Sequence, residues 1–396
     1  MSRGLTGPLR TMGAVTAVTL VTLAAYLAAM LLLGRNLPRE RFGYLTLWVY
    51  ALNLLGAASL LGFPNALLRH FPRERLRAAR WPSLYPPMAL LNVTVCAAGA
   101  LAFRGIYGAP WGDTLALFVA SASVGLSLLP VTMLQIFRRF ALAQGIYTLW
   151  RPALLATVLW MLARGRLDEL PLLVAVAGAG ILQLGIALFA LRREPRGEAP
   201  MGLRGMAPDA AVFTGLFLSA MLILRLDSFF LPKLMDLDAL GLYSALSFLM
   251  LTGYGVVSLA LGQVLAPKLA SRERVPLRML TLLLVAGGLA AGFLLAAFSD
   301  KLLPFVFGDR YAGDHRATAA VLALAGLLQV LYAIPSSRIG VLASRRALRI
   351  YLPLSLTSLA VDAALLWTLV PRWGIAGAAA ASACTWLWRV AAASVV

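Results

Sequence analysis

The chain is a succession of long apolar runs, each closed by a short polar turn. Runs dominated by Leu, Ala, Val and Gly recur from Met12 to Val396, and the turns between them carry Arg, Pro, Gly or Asp. A helix needs about 20 apolar residues to cross the hydrocarbon core of a bilayer. Twelve such segments are predicted, at 12–33, 42–62, 83–103, 114–134, 140–163, 170–191, 211–232, 240–262, 279–298, 318–337, 350–370 and 374–396. The first is expected to be a retained span. Its apolar stretch is too long for a cleaved signal, and no small-residue cleavage site precedes the turn Gly34–Arg41.

Composition removes the alternatives. Of 396 residues, 61% are apolar and 13% charged, with a mean hydropathy of +0.84. A soluble domain is roughly half apolar and about a quarter charged. A soluble enzyme, a disordered tail and a small disulfide scaffold are therefore excluded. Cys96 and Cys384 both sit inside apolar runs, which predicts two free, buried thiols. His70 and His315 are far apart and have no cysteine neighbours, so neither a zinc site nor any other cofactor is expected.

The formal charge is +19, from 35 Lys+Arg and 16 Asp+Glu. In a soluble protein this would suggest nucleic acid. Here it reads as loop charge that sets topology and meets anionic lipid headgroups, and no nucleic-acid partner is expected. Only three of these cations are lysine, a bias that a GC-rich genome also produces. With the N-terminus on one side, the loops of that side carry 20 Lys+Arg and a net +15, and the opposite loops carry 11 and +2. The positive-inside rule then places both termini in the cytoplasm.

No loop is long enough to fold as a domain. The segment 192–210, RREPRGEAPMGLRGMAPDA, is rich in Pro, Gly and charge and reads as a linker at the middle of the chain. A shift of 198 residues brings Arg35 onto Lys233 and Gly43 onto Gly241. A shift of 204 brings Ile146–Tyr147 onto Ile350–Tyr351. Two halves, 1–198 and 199–396, each with six spans, would enter the membrane in the same orientation. Such repeats are related by a pseudo-two-fold axis along the membrane normal.

Three stretches carry a family resemblance. Gly34 to Arg69 reads GRNLPRERFGYLTLWVYALNLLGAASLLGFPNALLR, Arg225 to Ser244 reads RLDSFFLPKLMDLDALGLYS, and Val370 to Ser382 reads VPRWGIAGAAAAS. They resemble the start, the seventh span with its turn, and the penultimate turn of the polysaccharide-exporter and lipid-linked oligosaccharide flippase families. The resemblance implies the all-α integral membrane fold of the multidrug, oligosaccharidyl-lipid and polysaccharide transporters: two six-helix bundles around a central, alternately open cavity. It also implies a bacterial inner-membrane protein that moves a polyprenyl-pyrophosphate oligosaccharide to the outer leaflet, with other polysaccharide-assembly proteins as partners.

Six charges fall inside predicted spans: Arg151, Arg225, Asp227, Arg338, Asp362 and Arg389. A charge at the bilayer centre costs about 2.5–3.5 kcal/mol on insertion scales, so it survives by facing water, a partner or a substrate. Four of the six are cationic, which suits a lipid pyrophosphate, since the planar guanidinium matches phosphate oxygens. Two residues apart on a helix is about 200°, so Arg225 and Asp227 are expected on opposite faces, with Arg225 toward substrate and Asp227 as its weaker companion. Arg151 lies mid-span beside Pro152, where a kink is expected. Asp227 and Asp362 are the carboxylates available for ion coupling. Arg338 and Arg389 lie nearer the inner surface, where snorkelling would account for them. Arg69 follows the break Gly62-Phe63-Pro64 and opens the basic run Arg69, His70, Arg73, Arg75, Arg77, Arg80, which reads as headgroup contact. The resemblance would place Arg69 at the inward-facing mouth, binding substrate. Trp81 and Tyr85 are expected at the membrane interface.

No phosphate-binding loop of the Gly-x-x-x-x-Gly-Lys type and no Ser/His/Asp set is visible, so no covalent chemistry is expected. Two rivals stay open. A cation-coupled multidrug exporter on the same fold would want an acidic, aromatic cavity, whereas span one holds no carboxylate. A membrane-embedded glycosyltransferase would want an outer catalytic carboxylate, for which Glu40, Asp300 and Asp309 are the candidates.

Overall fold

The structure is a computed structural model. It describes the backbone of residues 6–195, 197–198, 203, 205–270, 276–342 and 345–395, and the side chains of these apart from 6–12, 73, 78, 259, 262–264, 266–270, 337–342, 345–350 and 394–395. In hydrocarbon no water is available to satisfy a backbone N–H or C=O, so a long apolar run must close its own hydrogen bonds as a helix. Accordingly, the regular structure among the described residues is helical and contains no β-strand. Large apolar side chains face outward, including Trp111, Phe293 and Phe305, as expected where lipid is the solvent.

Among the described residues nine helices are long and apolar enough to cross a membrane, and two bent pairs bring the count to eleven. The bent pairs are α7 (Phe140–Tyr147) with α8 (Trp150–Ala163), at 41°, and α10 (Ala207–Ile223) with α11 (Leu226–Leu234), at 53°. One of the nine, Tyr351–Ala393, covers 43 residues. At 1.5 Å per residue that is about 65 Å, twice the roughly 30 Å hydrocarbon core. It belongs to α16 (Arg345–Val395), which turns at Gly374, where φ is 57° and ψ −136°. Counting its two arms separately, every one of the twelve predicted spans has a helical counterpart. This is a multi-pass membrane protein.

The chain forms two compact units. The first comprises Met1–Leu33 and Trp48–Leu218, and the second Gly34–Leu47 and Ser219–Val396. The unit boundary thus lies within α10, about twenty residues beyond the predicted midpoint, and the turn after the first span belongs to the second unit.

The first unit is built on α6 (Trp111–Ile136). It packs against α5 (Tyr85–Tyr107), α9 (Glu169–Leu191), α7 and the short α3 (Phe63–His70). Polar side chains join these helices, with Asn92 against the Ser59 hydroxyl at 2.8 Å and the Gln183 amide donating to Ser127 at 2.6 Å. Where α2 (Arg39–Ala58) gives way to α3, Gly62 adopts φ +69°, and a Cβ there would lie 2.7 Å from the Thr214 backbone nitrogen. Only glycine suits both the left-handed backbone and the close approach of α10. Trp81 is buried, with its indole N–H on the Pro195 carbonyl at 3.2 Å. Cys96 is buried, but Cys384 is exposed, and both thiols are free.

In the second unit α15 (Arg316–Leu342) packs on α12 (Leu237–Ala270), α13 (Leu277–Ala297) and α16. The segment 34–47 docks here through a reciprocal contact. A Cβ on Gly43 would collide with the Leu237 carbonyl oxygen and lie 2.8 Å from the Gly241 nitrogen, and one on Gly241 would collide with the Arg39 carbonyl. Leu237 is Arg39 shifted by 198 residues, as Gly241 is Gly43, so the contact has local two-fold symmetry. Arg39 pairs with Asp238 at 2.7 Å, and Arg310 donates to the Leu37 and Arg35 carbonyls. Phe42, Phe248 and Tyr311 surround the buried ring of Phe307 at centroid distances of 6.1, 6.0 and 5.5 Å.

Replacing Gly241 by alanine forces two backbones apart and is expected to cost about 1–3 kcal/mol. Arg39→Ala removes a half-exposed ion pair and is expected to cost about 1 kcal/mol or less. Thermal unfolding in detergent should rank the two in that order, and equal losses would contradict the packing argument.

Candidate functional site

The buried charges of the second unit gather at the break in the seventh span. Helix α10 stops at Ile223, and Arg225, at φ −143°, is no longer helical. The helical-wheel expectation for Arg225 and Asp227 therefore does not apply. The break itself separates them: Arg225 is exposed, and Asp227, in the first turn of α11, is buried. A new helix start leaves backbone N–H groups without intrahelical partners and favours negative charge. The Asp227 carboxylate takes the Ser228 N–H at 2.6 Å and the Ser228 hydroxyl at 3.1 Å. Its other oxygen accepts from the Tyr243 hydroxyl and, at 3.2 Å, from Ser382.

Asp362 lies on the first arm of α16 and is 1% exposed. It accepts from Thr385, on the second arm, at 2.9 Å. Asp227 and Arg389 are both within electrostatic reach of it. Arg389 corrects the snorkelling expectation. It is 5% exposed, donates to the Tyr332 hydroxyl at 3.0 Å, and lies over the rings of Tyr332 and Trp386 at 4.3 and 4.9 Å. A guanidinium on aromatic faces is stabilised where water is absent. The structure thus brings Asp227 and Asp362 into one buried polar cluster with Arg389. Arg338 lies outside the described side chains.

Sequence reasoning missed the partners Tyr243, Ser382, Thr385 and Tyr332. One signal was present, since Ser382, Thr385 and Arg389 repeat at helical spacing and mark a polar stripe on an apolar helix.

Arg69 and Arg151 belong to the first unit. Arg69, at the end of α3, lies 3.5 Å from an Asp209 oxygen that His70 contacts at 2.7 Å. Asp209 stands in the first turn of α10, where the helix dipole favours a carboxylate. Arg151 follows the bend between α7 and α8. Its guanidinium lies 5.9 and 5.7 Å from the ring centroids of Tyr26 and Trp150. Asp300 is paired with Arg316, whose hydrogen bond holds the carboxyl below the usual carboxylate range. It remains ionised at neutral pH and is poorly suited to donate a proton. Among the described residues no three His, Cys, Asp or Glu side chains are grouped as metal ligands would be.

These features can be set beside solved structures. One is described as the lipid II flippase MurJ in an inward closed conformation. It superposes with a TM-score of 0.66 at 11% identity, covering 96% of this chain and 86% of that one. The chain shares the fold of that structure. An outward-facing multidrug resistance MATE family transporter of the MOP superfamily gives 0.61 at 15% identity, over 98% and 95% of the two chains. The Vibrio cholerae MATE transporter VcmN in the bent form gives 0.57 at 13%, over 98% and 96%. No protein-family model and no curated protein sequence matches the chain. The all-helical membrane architecture expected from the sequence is the one found among the described residues.

If Tyr243 and Asp227 are coupled as the geometry shows, Tyr243→Phe should cost about 1–3 kcal/mol, because a buried carboxylate loses a donor. In an Asp227→Asn background the same change should cost measurably less. A double-mutant cycle by chemical unfolding checks this, and additive losses would place the two groups apart.

Proposed function

We propose that this protein is a transporter that flips a polyprenyl-pyrophosphate oligosaccharide from the cytoplasmic to the outer leaflet, for assembly of a surface polysaccharide. In this reading it lies in a bacterial inner membrane with both termini in the cytoplasm. The halves 1–198 and 199–396 are the parts whose rearrangement alternates access. No covalent step is involved.

The observation that carries the reading is the sorting of charge at the break between α10 and α11. The exposed residue there is Arg225, while the carboxylate two residues on is buried among hydroxyl donors. An exposed cation inside a span favours an anionic ligand. A phosphate carries roughly −1.5 to −2 charge at neutral pH and would be costly to move through hydrocarbon alone. Arginine's fork replaces part of its hydration by paired hydrogen bonds. Arg225, with Arg69 and Arg151, would meet the headgroup in turn, and the polyprenyl tail would stay in lipid. Other polysaccharide-assembly proteins would supply and consume the substrate.

The Asp227–Asp362 cluster supports ion coupling, because protonating either carboxylate would change its bonds to Tyr243, Ser382 or Thr385. The same pair would also serve a cation-coupled multidrug exporter, which is the second reading.

Deleting the gene should cause a polyprenyl-linked oligosaccharide to accumulate on the cytoplasmic leaflet. Wild type should reverse this, and an Arg225→Ala, Arg151→Ala protein should retain less than about a tenth of the activity, a loss of about 1.4 kcal/mol or more. Absence of accumulation together with new sensitivity to cationic compounds would favour the exporter.

A further inference from the structure

The first unit holds a half-enclosed cavity of about 210 Å³ where α3, α6, α7 and α10 converge on the break at Gly62. Its polar lining is Asn65, Thr132, Gln135, Gln144, Tyr147 and Thr214. Every one of these is uncharged, and no Asp, Glu, Lys or Arg contributes to the wall. The remainder is apolar, including Leu128, Val131 and Phe217.

The hydrogen-bonding state of these groups is unusual for a membrane helix bundle. Thr214 satisfies itself on the Ala210 carbonyl at 2.7 Å, as Thr46 and Thr114 do one turn back on their own helices. Thr132 is 5% exposed and makes no such bond. None of the hydrogen bonds of the described residues satisfies the side chains of Asn65, Gln135 or Gln144 either. Three amides and a hydroxyl, each able to donate and accept, thus border one small space. Asn65 is exposed and Gln135 and Gln144 are half-buried, so their amides are accessible to a molecule entering that space.

We propose that this cavity is a docking site for one neutral sugar ring of the substrate. The argument rests on the flippase reading and extends it by naming the part of the substrate bound. A sugar presents hydroxyls that both donate and accept around its rim, and C–H faces that pack on apolar walls. The lining offers that combination. A cationic drug would want a carboxylate, and a bare phosphate would want arginine, and neither is in the wall. Size agrees as well. Drug-sized ligands occupy roughly 300–1,000 Å³, so a cavity of about 210 Å³ suits a single ring rather than an oligosaccharide or a drug. Cations stand just outside. Arg69 is one helical turn beyond Asn65, and Arg151 acts electrostatically on Tyr147. A ring seated here therefore leaves a phosphate joined to it within reach of arginine.

The test uses the full chain in nanodiscs free of sugar detergents. The probes are farnesyl pyrophosphate, its conjugates with N-acetylglucosamine, glucose or galactose, and the three free sugars. At least one conjugate should bind tenfold or more tighter than bare farnesyl pyrophosphate. Gln135→Leu with Gln144→Leu, or the isosteric Thr132→Val should the pair unfold, should erase most of that advantage and leave farnesyl pyrophosphate binding unchanged. Binding of a free sugar that depends on the glutamines, with no contribution from pyrophosphate, would uphold the cavity and count against the lipid-pyrophosphate substrate. No sugar-dependent gain with any probe, or an equal loss for sugar-bearing and bare probes in a variant of unchanged thermal stability, would overturn the proposal.

Discussion

Everything in this molecule depends on the absence of water from the hydrocarbon layer. There a backbone must bond to itself and a charge must find a partner, an aromatic face or an opening. That constraint gives the chain its helices and also sorts its charges. Arg389 lies over the rings of Tyr332 and Trp386 and donates to the Tyr332 hydroxyl, and Asp362 is held by a threonine on the facing arm of its own helix. Asp227 is held at a helix start by backbone and hydroxyl donors. Arg225 alone among the described intramembrane charges stands exposed, and it does so where the helix is interrupted. The proposed function is read from this contrast between buried charges and an exposed one.

Breaks in the helices do most of the positioning. The interruption at Gly62 lets α10 pack closely on the start of α3 and borders the small polar cavity. The bend before Trp150 sets Arg151 against Tyr26, and the turn at Gly374 folds one arm of α16 back so that Thr385 reaches Asp362. A continuous helix would place these side chains along one line. A broken one brings residues from distant positions to the same depth.

How much of this was legible from sequence follows from the physics of each feature. All twelve spans were visible, because about 20 apolar residues have few other uses. The turn at Gly374 was visible in its glycine spacing. The break at Arg225 was not. The sequence Ile223-Leu224-Arg225-Leu226 carries neither Gly nor Pro, and a wheel drawn through it gave the right separation of Arg225 and Asp227 for the wrong reason. Asp227 and Asp362 stood out because a carboxylate inside a span is rare, whereas Tyr243, Ser382 and Thr385 did not, because hydroxyls are common in membrane helices and bond locally. Arg389 was misplaced because position along a helix does not show which face is covered by Tyr332 and Trp386. The neutral lining of the cavity was illegible for the same reason. Asn65, Thr132, Gln135 and Gln144 come from three helices, and only the fold makes them neighbours.

The central claim is that the chain moves an anionic lipid-linked glycan and uses an exposed arginine to do so. It is tested most directly by reconstituting the purified protein into liposomes. There the leaflet position of a fluorescent polyprenyl-pyrophosphate oligosaccharide would be followed beside the uptake of ethidium. The account predicts that the lipid changes leaflet, that Arg225→Ala abolishes this while Arg225→Lys keeps part of it, and that ethidium is not accumulated. Ethidium uptake that is lost in Asp227→Asn, with no movement of the lipid, would contradict it.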